Sequence, residues 1–328
     1  MNQNPITRVR VAIVGGGPAG IGAAVGLAKR RIGPILLLDR WDKPGGVPAK
    51  YPAKAGSMPT YVAATQGKVL FGQQFVDGLL KKLPPAGLQW SLETLVIHLD
   101  THRRQLTVVN PRQGKHLIQA DAIVLATGAR EQTGPEQGWI AGSRNMPALQ
   151  TMQLLELLNQ GAKLPWENGI VAGSDLIAFA AAAKLKGAGT HAVGMVDTAA
   201  RPQTSWLARR YFRHWVWPRW HQCSTAQYKT ASGEKARLEL QGGTHIPCDA
   251  LVVCGRLVPN AELLVAAGIA TRPPSHVPVT RSRGRLSSTG FFAAGNLLGG
   301  FHGGQWCYFN GLRVARRVAS YLQASVQS

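Results

Sequence analysis

Val9-Arg10-Val11-Ala12-Ile13-Val14-Gly15-Gly16-Gly17-Pro18-Ala19-Gly20 is the stretch whose reading decides the fold of this chain. Val9–Val14 is short, apolar and β-branched, the pattern of a buried parallel strand. Gly15, Gly17 and Gly20 then supply G-x-G-x-x-G at a turn into an alanine-rich helix. The first glycine permits the tight turn, the second lets the backbone approach a pyrophosphate, and the third allows close helix–strand packing. A helix N-terminus there presents unpaired N–H groups and partial positive charge to that anion. Pro18 suits the first turn, where a missing N–H costs little, and Ala19 after it is expected among the cofactor-binding residues. Ile35–Leu38 reads as the next strand, and Asp39 at its end, 19 residues beyond Gly20, is placed to accept ribose hydroxyls, with Arg40 beside it. Strand, glycine turn, helix and acid agree, so a bound dinucleotide is expected.

The 328 residues suffice for two domains with a sizeable core. No segment has the length of a spanning helix and the first strand follows the N-terminus directly, so a cytoplasmic protein is expected. The four cysteines, Cys223, Cys248, Cys254 and Cys307, form no C-x-x-C, which excludes a local redox dithiol and leaves no metal-ligand run. They read as scattered core or surface thiols. Lys and Arg number 37 against 16 Asp and Glu, a net charge of +21 that attracts acidic proteins, nucleic acid or anionic lipid without choosing among them.

Further along, a helix is expected near 72–83, ended by Pro84-Pro85, then a β-meander from strands at 88–99, 105–109 and 116–118. A separate buried strand, Ala122–Ala126, runs into Ala126-Thr127-Gly128-Ala129-Arg130-Glu131. By itself this is a strand followed by a glycine turn. Together with the fingerprint, and with Gly45-Gly46 as a second glycine pair, it resembles the FAD-binding elements of the two-dinucleotide-binding-domain flavoproteins, the class of thioredoxin reductase. That resemblance implies FAD, with Gly45 and Gly46 against its phosphates and Ala126, Thr127 and Gly128 beside it.

Gly138-Trp139, Asn145-Met146-Pro147-Ala148-Leu149-Gln150-Thr151, Gly161 and Pro165 follow in the order seen in FAD-containing α-type subunits of opine and amino-acid dehydrogenases. That group includes opine oxidase, the hydrogen cyanide synthase flavoprotein and dye-linked proline and hydroxyproline dehydrogenases. Asp249–Cys254 reads as a further strand, and Gly255-Arg256-Leu257-Val258-Pro259-Asn260 resembles the family's return to the FAD domain. A helix at Ala261–Ala267 follows. Gly290-Phe291-Phe292-Ala293-Ala294-Gly295-Asn296 resembles its last FAD motif, with Asn296 in place of the usual Asp. Asn still accepts through its carbonyl oxygen, so a ribityl contact from Gly295-Asn296 is implied, though weakened. Gln305, opening the final helix, falls where the family places a glutamine close to the flavin. The arginine usual before it is replaced by Gly304. His302 has the chemistry of an acid–base residue, but a glycine-flanked loop histidine is more often exposed or packed. No catalytic residue is assigned.

Ile170–Ala178 opens a second strand–turn–helix, followed by a helix at Phe179–Lys186 and a strand at His191–Val196. Its fingerprint is damaged. Ala178 at the third position is tolerable, but Asp175 at the second puts bulk and negative charge where a pyrophosphate would approach. Like charges about 4 Å apart repel by about 4 kcal/mol at an effective dielectric of about 20. A retained fold without useful NAD(P) affinity is the expectation. The fold read from all this is α/β, with two Rossmann-like doubly wound domains: a FAD-binding domain from residues 1–145 and 256–328, interrupted by an NAD(P)-domain-like insertion at 146–255.

Residues 198–233 hold six Lys or Arg, four of the nine Trp and no Asp or Glu. Core packing of an amphipathic helix, protein docking, and a membrane or nucleic-acid surface all remain open, with nucleic acid least favoured. Three functions are weighed. The first is a FAD-dependent electron-transfer subunit of an amino-acid or opine dehydrogenase, acting on a small-molecule substrate with a partner. The resemblance implies as partner an amine-oxidising flavoprotein, an iron–sulfur protein, or both. Longer family members carry a cysteine-rich cluster extension that this chain lacks, so a cluster is expected on another polypeptide. Attachment to the inner face of the membrane is compatible with this reading. The second is an NAD(P)H-dependent flavin reductase, against which Asp175 counts. The third is a non-catalytic assembly protein, against which Gly15, Gly17, Gly20 and Asp39 count.

Overall fold

The computed structural model describes residues 6–51, 61–63, 68–137, 147–199, 201–213, 219–222, 226–229, 236–240, 243–281, 284–300 and 302–327. Gly138-Trp139, Asn145-Met146 and Cys223 lie outside these, as do Trp215 and Trp217. The chain divides into two compact units, Met1–Ala49 with Tyr61–Arg130 and Leu257–Ser328, and Lys50–Thr60 with Glu131–Arg256. The chain thus leaves the first unit at Ala49, re-enters it at Tyr61, leaves it again at Arg130 and returns at Leu257.

In the first unit, β1 (Ile6–Val14) leads into α1 (Pro18–Ala28) and β2 (Ile35–Leu38). After α2 (Gly72–Leu80) come β3 (Leu88–Ser91), β4 (Leu95–Asp100), β5 (Gln105–Asn110) and β6 (Gly114–Leu125). The sheet order is β3-β2-β1-β6-β5-β4, and Phe291–Ala293 also pairs with β6. Alternate residues of β1 serve two cores. Val11 and Ile13 pack with α1 and the last helix (Gly304–Gln327), while Ala12 and Val14 pack with the meander side.

Two sequence expectations change here. The run 88–99 is two strands, because Glu93 takes a left-handed conformation (φ 51°); β3 joins β2 in parallel and only β4 enters the meander. The strands expected at 116–118 and 122–126 are one. β6 pairs with β1 along Leu117–Leu125, while its other edge pairs first with β5 at residues 114–119 and then with Phe291–Ala293 at residues 123–125. Asp121, between the two expected strands, points out to Arg10 at 2.7 Å.

The second unit carries a five-stranded parallel sheet. Its members are β7 (Ala148–Gln150), β8 (Asn168–Ala172), β9 (His191–Asp197), β10 (Arg219–Gln222) and β11 (Ala250–Val253), in the order β7-β11-β8-β9-β10. α3 (Thr151–Asn159) and α4 (Leu176–Gly187) accompany it, with α5 (Trp206–Arg213) before β10. A small antiparallel sheet adds Ala226–Lys229, Arg237–Leu240 and His245–Pro247. In such parallel sheets ligands bind beyond the carboxyl ends of the strands.

Candidate functional site

In the first unit the glycine turn is built tightly where the protein needs it and left open where a ligand would lie. Gly15 has φ 109°, its N–H donates to the Leu38 carbonyl at 2.8 Å, and a Cβ on it would strike the Ala126 carbonyl. A Cβ on Gly20 would run into the Gly15 carbonyl oxygen. Gly17 differs. Among the described residues a Cβ there would meet nothing closer than the Gly46 Cα at 3.8 Å, so none of them fills the space above the second glycine. Gly17 also heads α1 with no side-chain cap and no acid in the first turn, which leaves that helix end open to an anion. Gly45 donates to the Gly16 carbonyl at 2.8 Å, and Gly46 lies so close that its Cβ would sit 2.9 Å from the Gly17 Cα.

Asp39 is buried, and it organises this loop. Its Oδ2 accepts from the Gly16 N–H at 2.6 Å and its Oδ1 from the Trp41 N–H at 2.9 Å. Arg40 is exposed, with its guanidinium 5.3 Å from the Trp41 ring centroid. Sequence reasoning missed Trp90: a Cβ on Gly16 would lie 2.8 Å from its ring, so this side chain walls the cradle from β3. Only the position of Trp90 on the strand next to β2 could have signalled it.

Ala126 donates to the Val14 carbonyl at 2.7 Å. Thr127 donates its hydroxyl to the Asn260 carbonyl at 2.8 Å, and the Asn260 amide donates back to the Thr127 carbonyl at 2.9 Å. Gly128 accepts from the Asn260 N–H at 3.1 Å, so the G-R-x-x-P-N run is latched on the A-T-G turn. Gly295 packs so closely on Ala19 that a Cβ would come within 2.6 Å of the Ala19 Cβ. The Asn296 amide spans its own loop, donating to the His302 carbonyl and accepting from the His302 N–H, both at 3.2 Å. Asp could accept there but not donate, which is a physical reason for Asn at this position. Gly304 has no room for the arginine usual in the family, because a Cβ would sit 2.7 Å from the Phe75 ring. Gln305 Nε2 is buried with no hydrogen-bond partner among the described residues. An orphaned buried amide beside an open glycine cradle is what a polar, flat ligand would complete, and the residues present fit a flavin dinucleotide. His302 is stacked on Trp306, centroids 3.7 Å apart, and burial lowers its pKa below the usual histidine value.

The second unit presents the same local fold with its anion seat taken. Asp175 caps α4, its Oδ1 accepting from the Ala178 N–H at 3.0 Å. The carboxyl that sequence reasoning placed as a repulsive charge therefore also fills the seat. Burial raises its pKa. Ser174 donates to Asp197 and accepts from the Gln203 N–H at 3.1 Å, and Arg256 donates to the Thr198 hydroxyl at 3.2 Å. The remaining cavity, bordered by Gly173, Asp175, Asp197 and Gln203, is about 40 Å³. Asp197, also missed from sequence, lies 19 residues beyond Ala178, the spacing that separates Asp39 from Gly20. Behind it, Glu131 accepts from the Gly255 N–H at 3.2 Å and the Met152 N–H at 3.4 Å, and burial pushes its pKa up to about 7. The Thr151 hydroxyl donates to the Cys254 thiol at 3.0 Å. Cys248, Cys254 and Cys307 are buried and in no disulfide.

Residues 9–321 match the pyridine nucleotide-disulphide oxidoreductase family. The chain belongs to that family. It is a family of FAD-dependent oxidoreductases, in which NAD(P) is a second nucleotide and FAD the resident one. The chain is 29% identical over 195 residues to hydrogen cyanide synthase subunit HcnB of Pseudomonas aeruginosa, a match covering 58% of this chain and 39% of that one. It is 26% identical over 318 residues to an opine oxidase subunit of Rhizobium meliloti, covering 87% and 58%. It thus spans less than two thirds of the length of these relatives. Lactococcus lactis thioredoxin reductase has the same two-domain fold, with TM-score 0.73 at 17% identity, covering 96% of this chain and 99% of that one. The redox C-x-x-C of a thioredoxin reductase is absent from the sequence.

Proposed function

We propose that this chain is the flavin-carrying electron-transfer subunit of an amino-acid or opine-type dehydrogenase, exchanging electrons with a partner protein rather than with NAD(P)H. The observation that carries this reading is the contrast between the two helix N-termini. α1 begins at Gly17 with no side-chain cap, whereas α4 begins at Asp175 with its own carboxylate on the N–H groups. One seat is kept for a pyrophosphate and the other is occupied. The likeness to subunits named for hydrogen cyanide synthase and opine oxidase supports the same reading.

FAD, when bound, supplies the hydride and electron chemistry. In this reading Gly15, Gly17, Pro18, Ala19 and Gly20 shape the pyrophosphate seat, with Gly45 and Gly46 closing it. Asp39 and Arg40 flank the ribose. Ala126, Thr127 and Gly128 form a second wall, and Gly295, Asn296 and Gln305 hold the flavin half. The α1 N–H groups neutralise the phosphates, and the buried Gln305 amide gains the partner it lacks.

The test is anaerobic stopped-flow mixing of the FAD-loaded protein with NADH and with NADPH, following flavin absorbance. Neither nucleotide is expected to bleach the flavin. An amino acid or opine, added with the partner protein, is expected to do so. Fast bleaching by either nucleotide alone makes the chain an independent reductase, and protein that refuses FAD makes it an assembly factor.

A further inference from the structure

The helix α5 itself takes part in neither nucleotide-type site, although Gln203 before it borders the second. The helix is anchored from one side by Phe212, 3% exposed, whose ring lies 5.4 Å from that of Phe179 in α4. Side chains three and four positions apart share a helix face, so Trp206, Arg210 and Arg213 form one outward stripe. Leu207 lies beside it, about 100° round the helix. Trp206 and Leu207 are 65% and 60% exposed, the two most exposed large apolar side chains among the described residues. Arg210 and Arg213 are exposed as well.

From this we infer that the outer face of α5 is a lipid-binding surface that lays the protein on an anionic bilayer. An indole ring partitions to the headgroup level, with its body against acyl chains and its N–H wet. Leu207 adds apolar area next to it. The Arg210 stem lies along the apolar boundary while its guanidinium reaches lipid phosphates. Residues 198–233 contain no Asp or Glu to oppose this, and the chain's net charge of +21 draws the whole molecule toward an anionic surface. Among the described residues no helix is long and apolar enough to cross a membrane, so the contact is one that lies in the interface plane. An acidic protein is the competing occupant. Eight residues of helix are only about 12 Å long, and a stable protein interface needs about 800 Å² from each partner. A bilayer asks for no such complementary area. The inference does not depend on the redox reading above.

The experiment is co-sedimentation of the full chain with vesicles of phosphatidylcholine, alone or with about one-third phosphatidylglycerol. Binding is expected to the anionic vesicles and not to the neutral ones. Arg210→Glu changes two charges and is expected to weaken binding about 25-fold. Brominated acyl chains are expected to quench the fluorescence of the unaltered chain, and to quench the Trp206→Phe variant less. Lys115→Glu, a charge reversal at an exposed position in the other unit, is the control and is expected to cost much less. If Lys115→Glu weakens binding as much as Arg210→Glu, the attraction belongs to the net charge and the assignment to α5 is overturned. If the anionic vesicles bind no protein at all, the lipid assignment fails outright and the face is left to a protein partner.

Discussion

Replacing Asp175 tests what separates the two nucleotide folds of this chain. In the native protein its carboxylate caps α4 through the Ala178 N–H at 3.0 Å and borders a cavity of about 40 Å³. A pyrophosphate seated on that helix end would lie about 4 Å from the carboxylate, a repulsion of about 4 kcal/mol at an effective dielectric of about 20. That is a loss of nearly three decades in affinity. The figure is an upper bound, because burial raises the Asp175 pKa and favours its neutral form. Asp175→Gly removes charge and bulk together, and glycine is itself an acceptable cap, so stability falls by only a few tenths of a kcal/mol. Asp175→Asn removes charge while keeping bulk and cap. By calorimetric titration, NADH and NADPH affinity is expected to rise about tenfold in Asp175→Asn and by up to about three decades in Asp175→Gly. The gain should stop short of that limit while the Ser174 bonds to Asp197 and Gln203 keep the mouth closed. Two results refute the reasoning. One is a native chain that binds NADH with a Kd of about 1 μM or below. The other is equally weak binding by all three proteins, which would put the exclusion elsewhere.

Two other predictions concern the cradle and the buried carboxyl. Gly17→Ala finds open space at an allowed φ of −75°, so thermal stability without FAD should hardly change while FAD affinity falls about tenfold to a hundredfold. Gly20→Ala drives a methyl into the Gly15 carbonyl and should cost at least about 3 kcal/mol in denaturant unfolding, with or without FAD. Similar loss of stability in both variants would contradict a ligand space at Gly17. Glu131 has its pKa raised by burial from 4.5 to about 7. The folded state therefore holds a proton that the unfolded state releases, so stability should fall as pH rises from about 4.5 to about 7 and level off above. The span of about 2.5 pH units corresponds to about 3 kcal/mol. Chemical denaturation across that range should show this slope in the native chain and lose it in Glu131→Gln; an unchanged slope in the variant would assign the titration to another group.

The β1–turn–α1–β2 unit was legible from residues alone because each of its signals is local. Five apolar residues around Arg10 make a strand, three glycines at fixed spacing make the turn, and Ile35–Leu38 followed by Asp39 ends the unit within thirty-one residues of Val9. The damaged second fingerprint was legible for the same reason. What local signals could not say is what a polar residue is for. Asp175 looked like a charge set against a ligand, and only the α4 N–H groups reveal it as their cap. Asn296 looked like a weakened ribityl acceptor, and only the return of the chain to His302 shows why both ends of an amide are used. Asp121 lies between two expected strands that are one, and its partner Arg10 is 111 positions away. Trp90, Glu131 and Thr151 carry no spacing signal at all. Backbone conformation and the glycines it needs follow from neighbours along the chain, so the sequence by itself determined the nucleotide-binding architecture. The role of a buried polar side chain depends on which distant donors and acceptors the fold brings to it, because each must be satisfied away from water, and that only the tertiary structure decided.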